Sequence, residues 1–375
     1  MSKKSLVNDN SLVVFGSFGF GNIGDEAVPF AIQDLLDDIG VERMVRAVSR
    51  YNHPKLPNIL GLGKEYQPAL ASLSGAPAIL VGGGIIEPRN MCCALRFLNY
   101  MEVAKPAKSS IYMGSFEFGV NYGMLVKRRL NKLFKGLDNI YLRDYLSDIY
   151  LRDTFPRVKA SSGGDVVLGM RPSTERALSS QLQNNEYIAV CLCGVWKDDK
   201  NWYQWIISEL VDLSDRLDKP LLFVPMSCHP SDDDRVEHQL VADGILAFGI
   251  NNEPLVLNKI LAPREFSAVV RDAALVVSMR LHGCVLSYAQ QTPFVGLSYH
   301  PKLVGFAQTV GWRNFLLPTN HPIKQSSGQY GYQFSALGFE TNELYKTASA
   351  AMDHGSFNLL PVLLENLRRG LENIL

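Results

Sequence analysis

Short apolar runs alternate with longer stretches in which apolar residues recur about every three to four positions, and this rhythm continues through most of the chain. In the first half, residues 12–16, 42–48, 78–81, 110–114 and 139–143 predict strands, and residues 27–39 and 94–103 predict helices. A polar break at 170–185, opening on Pro172, interrupts the pattern. It then restarts, with strands predicted at 187–192, 220–224, 245–248, 274–278 and 294–297 and helices at 202–217, 233–242, 253–261 and 281–290. Residues 319–332, rich in glycine, serine and histidine, read as a loop, and 358–375 as an amphipathic closing helix. Strands alternating with helices predict parallel sheets covered on both faces. The expected fold class is therefore α/β, with two Rossmann-like lobes facing a cleft. The expected boundaries are 1–175 for the first lobe, 176–355 for the second, and 356–375 for a helix packing back on the first lobe.

Size and charge narrow the classes. At 375 residues the chain exceeds the usual span of one core, which favours two domains. Its 37 basic and 37 acidic side chains balance, so no general attraction to nucleic acid is expected. No apolar run approaches the ~20 residues that span a bilayer. The first residues, MSKKSLVNDNSLVVF, lack a secretory apolar core, so a cytoplasmic location is expected. The six cysteines have no paired metal spacing and read as reduced and structural. One local excess of charge stands out in MLVKRRLNKLFKGL, where Lys127, Arg128, Arg129, Lys132 and Lys135 share a predicted helix. That segment is either an ordinary solvated face or a peripheral membrane contact at the inner face of the membrane.

Candidate chemistry concentrates where strands end. Arg280 and His282 follow the apolar run ALVVSM and open a helix, and Lys302 begins another after SYHP. Strand carboxyl ends border ligand crevices in open parallel sheets, and helix starts offer N–H groups to anions. Arg280 could equally pair with a carboxylate of its own domain. Near the start, Gly16, Gly19, Gly21 and Gly24 form a glycine-rich turn ahead of a helix, without the lysine and hydroxyl of a P-loop. Asp25 there is either a helix cap or a base for an acceptor hydroxyl. Gly82, Gly83 and Gly84 after AILV suggest close backbone approach to a ligand, with Glu87 on the same rim as a second candidate base. Arg143 ends a strand ahead of Asp144 and Ser147, a pattern that would cap the next helix and free the arginine for a cleft. The run Asp232, Asp233, Asp234 reads as a helix start rather than a metal site, because adjacent aspartates cannot all face one ion.

In order along the chain, GNIGDEAV at 21–28, VGGGIIEP at 81–88, YLRDYLSDIYL at 141–151 and MRLHGCVLSYAQQTPFVGLSYHPK at 279–302 resemble the landmarks of polysaccharide pyruvyl transferases. The resemblance spans about residues 12–310, and its most specific part is the RLH element with the proline, SY and PK that follow. It implies a GT-B-like two-domain architecture and transfer of the enolpyruvyl unit of phosphoenolpyruvate onto a saccharide as a cyclic ketal, in exopolysaccharide or cell-surface glycan synthesis. The family's phosphoenolpyruvate-holding arginine, histidine and lysine map onto Arg143, His282 and Lys302, with Arg280 as a further candidate. On this reading His282 and Asp25 are the catalytic residues. Gly24, Gly83, Gly84 and Glu87 face the acceptor, which is free or lipid-linked, and no metal or other cofactor is required. Two alternatives remain open: a GT-B-like nucleotide-sugar glycosyltransferase, and a non-catalytic saccharide-binding protein on the same scaffold.

Overall fold

The computed structural model describes residues 11–49, 59–61, 77–83, 102, 108–114, 123–175, 186–324, 330–334 and 342–373. The chain divides into two compact units. The first comprises residues 1–20, 25–170 and 359–375, and the second residues 21–24 and 171–358.

The first unit is built on a seven-stranded sheet. Its strands are β1 (Ser11–Phe15), β2 (Met44–Ser49), β3 (Ile59–Gly61), β4 (Ala78–Gly83), β5 (Ser109–Gly114), β6 (Asn139–Leu142) and β7 (Ser161–Ser162). Their order in the sheet is β3-β2-β1-β4-β5-β6-β7, and every pairing is parallel. The order reverses direction between β1 and β4, which makes their carboxyl ends the switch point of the sheet. All five residues of β1 are buried, the signature of a strand covered on both faces. Helices α1 (Ile23–Asp38), α2 (Met124–Lys135) and α3 (Tyr145–Thr154) accompany these strands.

The second unit repeats the plan. Strands β8 (Ile188–Cys191) and β9 (Leu221–Phe223) are followed by a two-rung antiparallel hairpin, β10 (Cys228–His229) with β11 (Asp232–Asp233). The remaining strands of its main sheet are β12 (Leu255–Val256), β13 (Leu275–Ser278), β14 (Phe294–Ser298) and β15 (Leu316–Pro318). The six-stranded sheet runs β12-β9-β8-β13-β14-β15, again parallel, with its switch point between β8 and β13. Its helices are α4 (Lys200–Leu217), α5 (Asp234–Phe248), α6 (Pro263–Asp272), α7 (Leu281–Ala289), α8 (Pro301–Thr309) and α9 (Glu343–His354). Trp202, Ile206 and Leu210 of α4 bury against Phe223, Val277 and Val295 of the sheet, each of those six fully enclosed. Full burial of such side chains contributes roughly 1.5–3 kcal/mol apiece.

The last helix, α10 (Leu360–Glu372), belongs to the first unit. Its Arg368 reaches Asp38 at 2.7 Å, and its Leu363 lies 3.3 Å from where a Cβ on Gly164 would stand.

Three expected elements differ. Residues 245–248 are not a strand but the last turn of α5, which Asp233 opens by accepting from Arg235 N and Gly249 closes in the left-handed region at φ 89°. The edge strand is instead β12, inside the segment expected to be the helix 253–261. The segment expected as a loop at 319–332 contains an antiparallel pair, β16 (Asn320–Lys324) with β17 (Tyr330–Phe334). The helix expected at 94–103 lies outside the described residues, apart from the single helical position at Glu102.

Candidate functional site

Two of the expected site residues of the second unit, Arg280 and His282, stand at its switch point. Strand β8 ends at Cys191, followed by Leu192 and Cys193; strand β13 ends at Ser278, followed by Met279 and Arg280. Arg280 caps α7, and His282 sits in the first turn of that helix. The backbone turns sharply here, with the Ser278 hydroxyl donating to Arg280 O at 2.8 Å. Gly283 permits that turn, since a Cβ there would stand 2.3 Å from the Ser278 oxygen.

The glycine-rich turn meets this helix start. Residues 21–24 cluster with the second unit, tied to the loop after β9 by Ile23 N donating to Met226 O at 2.8 Å and Cys228 N donating to Gly21 O at 3.0 Å. Asn22 forms a bridge with Ser227 and accepts from Gly24 N at 3.0 Å. Asn22, rather than Asp25, therefore serves as the cap of α1, and Asp25 stands in the first turn. Gly24 lies directly against the imidazole: a Cβ on it would fall 2.1 Å from His282 Nδ1 and 2.5 Å from Cγ. No side chain fits there while His282 keeps its position. Gly21, at φ 75°, faces the Cys228 sulfur at a similar separation.

Arg280 is enclosed, with 11% of its side chain exposed. It donates from Nη1 to Asp232 Oδ2 at 2.7 Å and from Nε to both Asp234 oxygens at 3.2 Å, while Nη2 also bonds Asp234. Of its two expected readings, the guanidinium adopts the pairing with carboxylates of its own unit. Burial pulls its pKa down, but the paired aspartates help to outweigh that and keep it cationic. Asp233, by contrast, turns to Arg235 at 2.6 Å, so the three consecutive aspartates face two different arginines.

Lys302 lies in the first turn of α8, whose cap is His300: its Nδ1 accepts from Lys302 N at 3.2 Å. The Lys302 ammonium stands 5.6 Å from the centre of the Tyr299 ring. Tyr299 is hydrogen-bonded to Cys193, and both Arg280 and Lys302 act electrostatically on that thiol. Burial pushes the Cys193 thiol up to about 11 and the Cys284 thiol up to about 12, which keeps both protonated and poor nucleophiles at neutral pH. Tyr299 and His300 were not among the residues expected from sequence. The signal was present in SYHP, where a polar residue before proline marks a helix cap.

In the first unit, Arg143 follows β6 and is 8% exposed. Asp144 does cap α3, accepting from Ser147 N at 2.9 Å, yet this does not release the arginine. Arg143 Nε lies 3.5 Å from Asp144 and Nη1 lies 3.4 Å from Asp165, which itself caps the turn at Val166–Gly169. Gly83 ends β4 at that sheet's switch point. Gly84 and Glu87 lie outside the described residues. The structure thus sets Gly24 against His282 two residues after Arg280, places Lys302 in the same second unit, and assigns Asp25, Gly83 and Arg143 to the first.

The family model for polysaccharide pyruvyl transferase matches residues 22–301, which contain Gly24, Arg143, Arg280 and His282. The chain belongs to the polysaccharide pyruvyl transferase family. Membership makes it a transferase whose family works with a pyruvyl donor and a saccharide acceptor. None of the curated proteins matches it. Among solved structures it is similar to UDP-GlcNAc 2-epimerase from Neisseria meningitidis bound to UDP-GlcNAc, at 10% identity and TM-score 0.58, covering 97% of this chain and 99% of that one. It is also similar to the UDP-GlcNAc 2-epimerase from Methanocaldococcus jannaschii, at 10% identity and TM-score 0.56, covering 96% and 99%. At such identities the likeness concerns the fold, and the fold is α/β with two Rossmann-like units of the GT-B kind. Among the described residues, no helix is long and apolar enough to cross a membrane.

Proposed function

We propose that this pyruvyl transferase uses phosphoenolpyruvate as donor and forms a cyclic pyruvate ketal on a saccharide, with release of inorganic phosphate, in the synthesis of an exopolysaccharide or cell-surface glycan. The observation that supports this reading best is the contact of Gly24 with His282, which joins the two most separated landmarks of the family at the start of the helix that Arg280 caps. Phosphoenolpyruvate carries a carboxylate and a phosphate, and charge-assisted hydrogen bonds of ~1.5–3 kcal/mol each suit such a donor. Arg143, Arg280 and Lys302 are the proposed cations.

In the proposed reaction His282 delivers a proton to the methylene carbon, which makes the adjacent carbon electrophilic. A sugar hydroxyl attacks that carbon and gives its proton to Asp25. The carbon–oxygen bond to phosphate then breaks, with the cations stabilising the charge on the departing group. A second hydroxyl of the same sugar closes the ring and gives its proton to His282, restoring the acid, while the proton held by Asp25 leaves with the phosphate. Gly24, Gly83, Gly84 and Glu87 form the proposed acceptor side. No metal or other cofactor enters these steps. Catalysis at the cytoplasmic face of a membrane, with α2 touching the bilayer, would suit a lipid-linked acceptor.

The test is release of inorganic phosphate from phosphoenolpyruvate over a panel of galactosides, glucosides and N-acetylmannosamine glycosides. Acceptor-dependent phosphate supports the proposal. Release of a nucleoside diphosphate from a nucleotide sugar, with no phosphate from phosphoenolpyruvate, would favour a glycosyltransferase, and saccharide binding without turnover of either donor would favour a binding protein.

A further inference from the structure

The two aspartates on Arg280 differ in kind. Asp234 is fully buried and accepts from Met226 N and Ser227 N at 3.0 Å each as well as from Arg280, so its loss would leave buried donors unmet. Through Met226 and Ser227 it also steadies the loop that grips Ile23 and Asn22, and with them Gly24 against His282. Asp232 has no comparable anchoring. Its side chain is 45% exposed, it stands on the two-residue strand β11, and its carboxylate is held by Arg280 Nη1 at 2.7 Å.

One guanidinium shared between two carboxylates has no net positive charge of its own left to offer an anion. An arriving anion therefore meets repulsion from Asp232 unless it replaces that carboxylate on the guanidinium. Replacement is chemically matched, because a phosphate or carboxylate oxygen accepts the same charge-assisted bond that the Asp232 oxygen accepts. Asp234 cannot be exchanged in this way, since three groups besides solvent depend on it.

We propose that Asp232 is a placeholder carboxylate, a specificity-determining residue that occupies the solvent side of Arg280 and yields to an incoming phosphate or carboxylate. This rests on the donor reading given above and adds a selection rule to it. Weakly charged anions do not displace a tethered carboxylate, whereas a multiply charged phosphate does. It also predicts that removal of an acidic side chain tightens donor binding.

The experiment is calorimetric titration of inorganic phosphate and of phosphoenolpyruvate into the full chain and into Asp232→Asn, Asp232→Ala and Asp234→Asn, with folding checked by circular dichroism. Loss of one unit charge at close range and intermediate dielectric corresponds to roughly a tenfold change in Kd. The expected result is that both Asp232 variants bind each ligand about tenfold more tightly, while Asp234→Asn binds more weakly or melts earlier. If the wild-type chain binds phosphoenolpyruvate and both Asp232 variants bind it no better, the placeholder is wrong and the donor reading stands. If the Asp232 variants bind inorganic phosphate more tightly but phosphoenolpyruvate yields no product on any acceptor, the placeholder stands and the donor reading falls. If no variant binds either ligand, both fall.

Discussion

Gly24 shows how a residue without a side chain can govern the group proposed as the catalytic acid. Its backbone is the surface on which the His282 ring rests, so any Cβ must push the imidazole aside. Gly24→Ala is expected to lower turnover by about a hundredfold, the scale of a displacement near 1 Å at a reacting group, with a change in Tm of no more than a few degrees. His282→Gln should fall at least as far, within the roughly 10²–10⁴ that general acid catalysis supplies. Steady-state kinetics of both variants check this, and near-normal turnover by either would remove His282 from its assigned role. The sequence made both residues legible separately, as a glycine-rich turn and as a histidine after a strand. It could not show that they touch, because 258 positions separate them and the link is made by the loop at Met226–Cys228, which carries no signal of its own. Arg143 illustrates the opposite limit. Its place at a strand end could be read from the pattern, but its pairing with Asp165 depends on a residue brought near only by the fold.

At the scale of elements, periodicity located most strands and failed where an apolar run was too short to distinguish states. ILAF at 245–248 has the composition of a buried strand, yet Phe248 is 64% exposed and the segment completes a helix that began at Asp234. A run of four residues carries no period, so the cap at Asp233 decided the outcome. Helix α2 was legible by charge, and the structure adds what charge alone could not. Leu130, Leu133 and Phe134 bury one face, while Met124 and Leu125 stand 72% and 75% exposed at the end nearer Lys127, Arg128 and Arg129. Exposed apolar groups backed by cations suit an anionic bilayer, where each basic residue near the surface contributes about 1 kcal/mol. Co-sedimentation is expected to retain the protein on vesicles with about a third anionic lipid and not on zwitterionic ones. The triple change Arg128→Glu, Arg129→Glu, Lys132→Glu should abolish that retention, and equal binding to both vesicle types would exclude an electrostatic contact through α2.

For the whole molecule, the alternation of strands and helices was enough to specify two parallel sheets, because each buried strand and its covering helix leave complementary apolar patterns. It was not enough to assign residues 21–24, which sit within the first unit's sequence but cluster with the second unit. The second unit's stability carries its own pH dependence. His238 is fully buried, its Nε2 accepting from Leu192 N at 3.0 Å, and burial pushes its imidazole down to about 3. The folded chain thus takes up this proton less readily than the unfolded chain. The resulting stability is complete above the ordinary histidine value of 6.5 and is lost progressively as pH falls from there toward 3, by up to about 1.4 kcal/mol per pH unit. Urea unfolding at neutral pH and near pH 5 should show this loss in the wild type and a shallower loss in His238→Gln; identical slopes would show that His238 is not the group responsible. Mass spectrometry of the acceptor after incubation with phosphoenolpyruvate and the purified chain tests the proposed ketal transfer most directly. One saccharide of the panel is expected to gain the mass of pyruvate less one water, with an equal amount of phosphate released. Acceptors that keep their mass while phosphoenolpyruvate is neither bound nor consumed would contradict that transfer.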